Sequence, residues 1–154
     1  MKTRTEIRRL AAVLLLALLL VSGCGSDEDE INSPTGVRLR GLAAMILDYS
    51  VNAGKGPPSE EVLKKYMRTS LPGFQLEMNG IDPKDIDSTF ISLRDQQPFV
   101  VRWGVGLTVS KENTPVLAFE KEGKDGKRLV AFANGKLDIV DETRFQELTA
   151  AAKP

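Results

Sequence analysis

RLVAFANGKLDIV, residues Arg128–Val140, decides the fold. Two apolar-rich runs flank Asn134-Gly135, the strongest short hairpin signal, because both residues tolerate positive φ. The spacing predicts one strand over 128–133 and another over 136–140. Upstream, Val116 to Glu122 reads as a further strand, turned back by Gly123-Lys124-Asp125-Gly126. Before it, Phe99, Val101, Trp103, Val105, Leu107 and Val109 alternate without a break. That period of two predicts the longest strand of the set, with Arg102, Gly104, Gly106 and Thr108 on its opposite, exposed face. Its glycines mark a bulge or admit the close approach of another element. Four strands joined in sequence order make an antiparallel meander. The stretch GVGLTVS (104–110) lacks the Lys-Ser/Thr ending and the following helix of a phosphate loop.

Helices flank the meander. Leu39, Leu42, Ala43, Ile46 and Tyr49 recur at three- and four-residue spacing from Val37, and Arg38, Arg40 and Asp48 fall off that stripe. Gly54-Lys55-Gly56-Pro57-Pro58 ends this helix. Ser59 caps a second, short helix with Glu60 and Glu61 in its first turn, where the dipole favours acids. Val62, Leu63, Tyr66 and Met67 form its buried side, and Leu71-Pro72-Gly73 stops it. Residues 74–92 show no clear period, with turns at Asn79-Gly80 and Asp82-Pro83. Asp141 caps a last helix, Val140 and Phe145 occupy hydrophobic-staple positions, and Phe145 and Leu148 dock it. The expectation is a single α+β domain over 37–152: an N-terminal amphipathic helix, a short helix, a four-stranded antiparallel meander and a C-terminal helix.

Of the 154 residues, 42% are apolar, enough for one domain with a real core. Formal charge is zero, but residues 1–23 hold four of the 21 basic and only one of the 21 acidic residues, so the remainder carries −3. A mildly acidic domain lacks the clustered Lys and Arg that phosphate neutralisation needs, which argues against nucleic acid. The chain has no histidine, which excludes His-based triads, His zinc ligands and His pH switches. One cysteine makes no internal disulfide.

That cysteine sits in a telling place. The cationic opening MKTRTEIRR precedes twelve consecutive apolar residues, Leu10 to Val21, and then Ser22 and Gly23. This is the layout of a secretory signal peptide over 1–23, and the run is short of the about 20 apolar residues a spanning helix needs. Val21-Ser22-Gly23-Cys24 resembles the lipobox of bacterial lipoproteins. The resemblance implies a diacylglycerol thioether on Cys24, cleavage between Gly23 and Cys24, and an added acyl chain on the new amine. Two or three chains anchor a protein stably at a lipid bilayer, where one does not. No other cofactor and no metal is expected. In the sorting rule known for diderm bacteria, Asp after the cysteine retains a lipoprotein at the inner membrane. Gly25 stands there and leans towards the outer membrane. Residues 24–36, with the acid run GSDEDEINSPT, read as a flexible tether reaching about 35 Å at roughly 3.3 Å per residue. Calcium binding by that run is the minor alternative to a solvated spacer.

The segments LAAMILDYSVNAGKGPPSEEVLKKY and RLVAFANGKLDIVDETRFQEL resemble the soluble heads of type IV pilins and type II secretion pseudopilins. The second is similar to the Phe-Ala-Asp-Gly-His endings of some pseudopilin-like proteins. Phe132, Ala133, Asn134, Gly135 and Lys136 stand there, so two positions differ. Pilins also keep a long hydrophobic N-terminal helix with a Glu that packs the filament, and this chain carries a lipobox instead.

Chemistry-bearing residues are sparse. Asp82, Asp85 and Asp87 have turn spacing and fit no calcium loop. Arg94-Asp95 reads as an exposed salt bridge on a sheet. Arg102, Trp103 and Thr108 form the candidate binding surface, offered to an envelope or secretion protein through an edge strand. The first alternative is a small-ligand pocket between the first helix and the sheet, lined by Arg102 and Trp103. A hydrolase is the weakest reading, given no histidine and no nucleophile motif.

Overall fold

The structure, a computed structural model, describes residues 26–108 and 114–150. The lipobox, Cys24 and Val109 lie outside the described residues. The described elements are α1 (Asp27–Ile31), α2 (Pro34–Ala53), α3 (Glu60–Thr69), α4 (Gly73–Met78), a 3-10 turn (Ile86–Phe90), β1 (Val100–Val101), β2 (Val116–Phe119), β3 (Lys127–Phe132), β4 (Leu137–Asp141) and α5 (Glu142–Ala150). The four strands form one antiparallel sheet in the order β1-β2-β3-β4. This is the α+β meander expected from the sequence.

The period of two along the strands sends neighbouring residues to opposite layers. Leu117, Leu129, Ala131 and Leu137 meet Leu39, Leu42, Met45 and Ile46 of α2 and Leu63 and Met67 of α3 in the main core. Val116, Val130 and Val140 face the other way and pack with Phe119, Phe132, Phe145 and Leu148, which dock α5. Asp141 Oδ1 accepts the Arg144 N–H at 2.8 Å, the expected cap. At the β3–β4 turn only Gly135 takes positive φ, at 82°. Ser59 caps α3 by accepting from the Val62 N–H. Asp48, off the apolar stripe, accepts the Tyr66 hydroxyl at 2.6 Å and ties α2 to α3. Burial and that bond push the Tyr66 phenol up to about 12.

Two expectations fail. The strand predicted over 99–109 shrinks to Val100–Val101. The ladder stops because Gly104 turns the chain with φ 83°, and its N–H goes to the Pro57 carbonyl at 2.8 Å instead of to β2. The alternation is therefore real only in part: Phe99, Val101, Trp103 and Val105 pack on the core, Leu107 is exposed, and the exposed sheet face bearing Arg102 and Thr108 does not exist. The acid run is not a flexible tether either. Ser26 and Asp29 close a capping box around the start of α1, with the Ser26 N–H and hydroxyl donating to Asp29 Oδ2 and Ser26 Oγ accepting the Asp29 N–H. Four acidic residues in its first turn lie where the helix dipole favours them. α2 starts at Pro34 rather than Val37, capped by Ser33. Gly36 is required there, because a Cβ would collide with the Ile31 carbonyl.

Candidate functional site

Two places concentrate polar chemistry. The first is internal. Glu120, just past β2, is fully buried. Its carboxylate accepts the Ser92 hydroxyl at 2.8 Å, the Leu129 N–H at 2.9 Å and Arg94 Nη1 at 3.1 Å. Arg94 Nε lies 3.3 Å from Glu30 Oε2 of α1, in ion-pair range but without hydrogen-bond geometry. The chain Glu30–Arg94–Glu120 thus binds the acidic helix to the sheet, aided by Lys127–Asp27 at 2.6 Å. Arg94 and Asp95 are not an exposed pair, because each is turned to a different partner in the core of the loop.

Asp95 instead gathers main-chain donors. Its carboxylate accepts N–H groups of Gln97 at 3.1 Å and of Glu122 and Gly123 at 3.0 Å each. Burial pushes this carboxyl up, but the donors from Glu122, Gly123 and Gln97 outweigh it and hold it below the usual carboxylate range. A group depressed in the folded state stabilises the fold above its unfolded pKa of about 3.9, and that contribution is lost as pH falls through the folded value. Asp95→Ala is expected to cost about 1–3 kcal/mol at pH 7. Urea unfolding should show the penalty shrinking in acid; an equal penalty at both pH values would refute the assignment.

The second place is a cleft of about 410 Å³ between the C-terminal end of α2 and the segment after β1. Ser50, Val51, Lys55 and Gly56 form one wall, and Gly104 to Thr108 the other. Gly54, left-handed at φ 72°, ends α2 and releases the turn. The walls touch backbone to backbone: a Cβ on Gly56 would collide with the Val105 carbonyl, and one on Gly106 would lie 3.0 Å from Gly56 N and from Ser50 Oγ. Close approach is therefore why Gly106 is a glycine. The Thr108 N–H donates to the Ala133 carbonyl at 3.0 Å and pins the far end. Val51 and Leu107 are 66% and 48% exposed at this cleft.

Of the three residues singled out from sequence, only Thr108 lines the cleft. Trp103 packs, partly buried, on the main core, and the Arg102 N–H is spent on the Leu117 carbonyl. The helix–sheet seam proposed as a ligand pocket is filled by Leu39, Leu42, Ile46, Leu117 and Leu129, all 1% exposed or less. Asp82, Asp85 and Asp87 have structural partners: Asp82 takes the Lys84 N–H, Asp85 the Ser88 N–H, and Asp87 pairs with Lys64 and Arg68. Hydrogen bonding to Lys64 holds the Asp87 carboxyl low. Sequence reasoning missed Ser50, Val51 and Lys55. Gly-Lys-Gly before a Pro-Pro, paired with Gly-x-Gly downstream, was the available signal of two backbones meeting.

Among the described residues, no cluster of three or more His, Cys, Asp or Glu side chains is placed to hold a metal. Nor is any described helix long and apolar enough to cross a membrane. Fold and cleft define a mixed helix–sheet domain with a backbone-lined groove. The chain matches no protein-family model, no curated protein and no solved structure.

Proposed function

We propose that the protein is an exported lipoprotein, held at a membrane through Cys24, whose α+β domain works there as a non-catalytic interaction module of the cell envelope. The observation that carries this reading is Val21-Ser22-Gly23-Cys24 placed directly after a cationic start and a twelve-residue apolar run. On this reading a lipid on Cys24 would sit close to a folded helix, since the capping box opens at Ser26, two residues beyond the cysteine. Gly25 favours the outer membrane. The likeness to pilin and pseudopilin heads rests on its two sequence segments and brings no filament role, because the lipobox stands where the filament-forming helix would be. The closed helix–sheet seam weighs against the small-ligand alternative.

Cys24→Ala tests the anchor. The wild-type protein is expected in the membrane fraction with lipid mass on its N-terminal peptide, and the variant in the soluble fraction without it. A variant that stays with membranes and keeps the lipid mass refutes the proposal. Crosslinking in intact cells, followed by purification through a C-terminal tag, then identifies the envelope partner.

A further inference from the structure

The two ends of α2 meet different parts of the molecule. At its start, Gly36 packs against the Ile31 carbonyl of α1, the Leu93 N–H donates to Thr35 Oγ1 at 3.1 Å, and a Cβ on Gly80 would lie 2.6 Å from Val37 Cγ1. The β2–β3 turn joins the same end through Lys127, which pairs with Asp27 at 2.6 Å. Near its close, Leu47 borders Gly135 and Ser50 meets Gly106. At 1.5 Å per residue, the 20 residues of α2 set these ends about 30 Å apart. Among the described residues, seven large apolar side chains are exposed, and four of them belong to the first end. Val37 lies on the first turn of α2 and Leu93 stands against it. Phe74 and Met78, 64% and 81% exposed, lie one helical turn apart on α4, which runs straight into Asn79-Gly80. The chain enters the fold here as well. Ser26 opens α1, and Cys24, two residues earlier, is at most about 7 Å from it at full extension.

We propose that this end of the domain is seated on the lipid bilayer, with Val37, Phe74, Met78 and Leu93 at the membrane interface and the close of α2 directed away from it. The proposal rests on Cys24 as the lipid anchor, and deepens that reading by naming the face that meets the membrane. A cluster of exposed apolar side chains marks a surface that takes a partner. The point where the chain enters the fold says which partner: acyl chains on Cys24 hold this end, and not the other, beside the bilayer. Four side chains bind a membrane weakly by themselves. The anchor makes their contact intramolecular, so it forms at high effective concentration. Charges of both signs stand at this end, Asp27, Glu28 and Asp29 on α1 against Lys124 and Lys127 on the hairpin, so the apolar side chains rather than net charge carry the contact. Lys55, just past the close of α2, then stands about 30 Å from the seated end.

The test uses the full-length protein, purified from membranes in detergent, its N-terminal lipid mass recorded, and reconstituted in phosphatidylcholine vesicles. With Cys24 lipidated, an introduced cysteine is the sole free thiol. Met78→Cys, Leu93→Cys and Lys55→Cys are each labelled with an environment-sensitive dye, and quenching by nitroxide-labelled lipid is measured. All three side chains are exposed, and thermal unfolding confirms that each variant is folded. The expected result is a blue shift and strong quenching at Met78 and Leu93, and neither at Lys55. Phe74→Asp/Met78→Asp should abolish the quenching at Leu93→Cys while the protein stays in the membrane fraction. Quenching at Leu93 that survives the double substitution overturns the seating, because the apolar side chains then do not hold the face. Equal quenching at all three sites, or quenching at Lys55 alone, overturns it too. A blue shift at Met78 and Leu93 without quenching by lipid makes the occupant a second copy of the chain, and the proposal falls. Lipid mass on Cys24 with no quenching at Met78 refutes the seating alone, whereas absence of that mass refutes the anchor and the seating with it.

Discussion

Arg94→Met is expected to lower the stability of the domain by about 3–5 kcal/mol, the cost of leaving a buried charge without its partner. Glu120 is wholly buried and takes three donors, and Arg94 supplies the only charge among them. Removing the guanidinium leaves the carboxylate in the core with two neutral donors. The same physics predicts the rescue. Desolvating an ion pair offsets much of its attraction, so replacing both members by apolar residues of similar volume is often neutral. Arg94→Met/Glu120→Leu should therefore recover most of the loss, although the Leu129 N–H and Ser92 hydroxyl then lose an acceptor. Urea unfolding of the wild type, both singles and the double variant measures the coupling. Additive singles would show that Arg94 and Glu120 do not act as a pair.

Leu42→Ala should cost about 2–5 kcal/mol, through lost transfer energy and the cavity left behind. Leu42 is fully buried in the main core, where α2 faces the sheet and α3. Leu42→Met keeps the volume and should cost less than about 1.5 kcal/mol. Met78→Ala, at a side chain 81% exposed, should stay within about 0.5 kcal/mol. A Leu42→Ala penalty no larger than that of Met78→Ala would mean that α2 does not carry the core.

Much of this architecture was legible in the chain. The stripe Leu39, Leu42, Ala43, Ile46 is the buried face of α2, and Leu63 and Met67 that of α3. The β2–β3 and β3–β4 turns fall at Gly123–Gly126 and Asn134-Gly135. These features are set by neighbours within a few residues: a helical period, a cap, a glycine that tolerates positive φ. The reading failed where a local pattern had two physical meanings. Phe99, Val101, Trp103 and Val105 alternate because they face the core, yet Leu107 does not, Gly104 breaks the ladder and the turn after α2 replaces the partner strand. The acid run looked like a solvated spacer because composition does not register that Ser26 and Asp29 complete a capping box, or that Arg94 and Lys127 receive its carboxylates.

By itself, then, the sequence determined what short-range forces decide: the secondary structure of most of the domain, its α+β order and its hairpins; the proposed lipobox likewise rests on contiguous residues alone. The tertiary structure alone decided the burial of Glu120 against an arginine 26 residues away and the meeting of Gly56 with Gly106. It also moved the candidate site from the Arg102-Trp103 surface to the cleft beside Leu107. The physical reason is the range of the interactions. A buried charge and a groove wall are each completed by groups that are distant along the chain, and no local preference of Glu120 or Gly106 specifies which group will arrive.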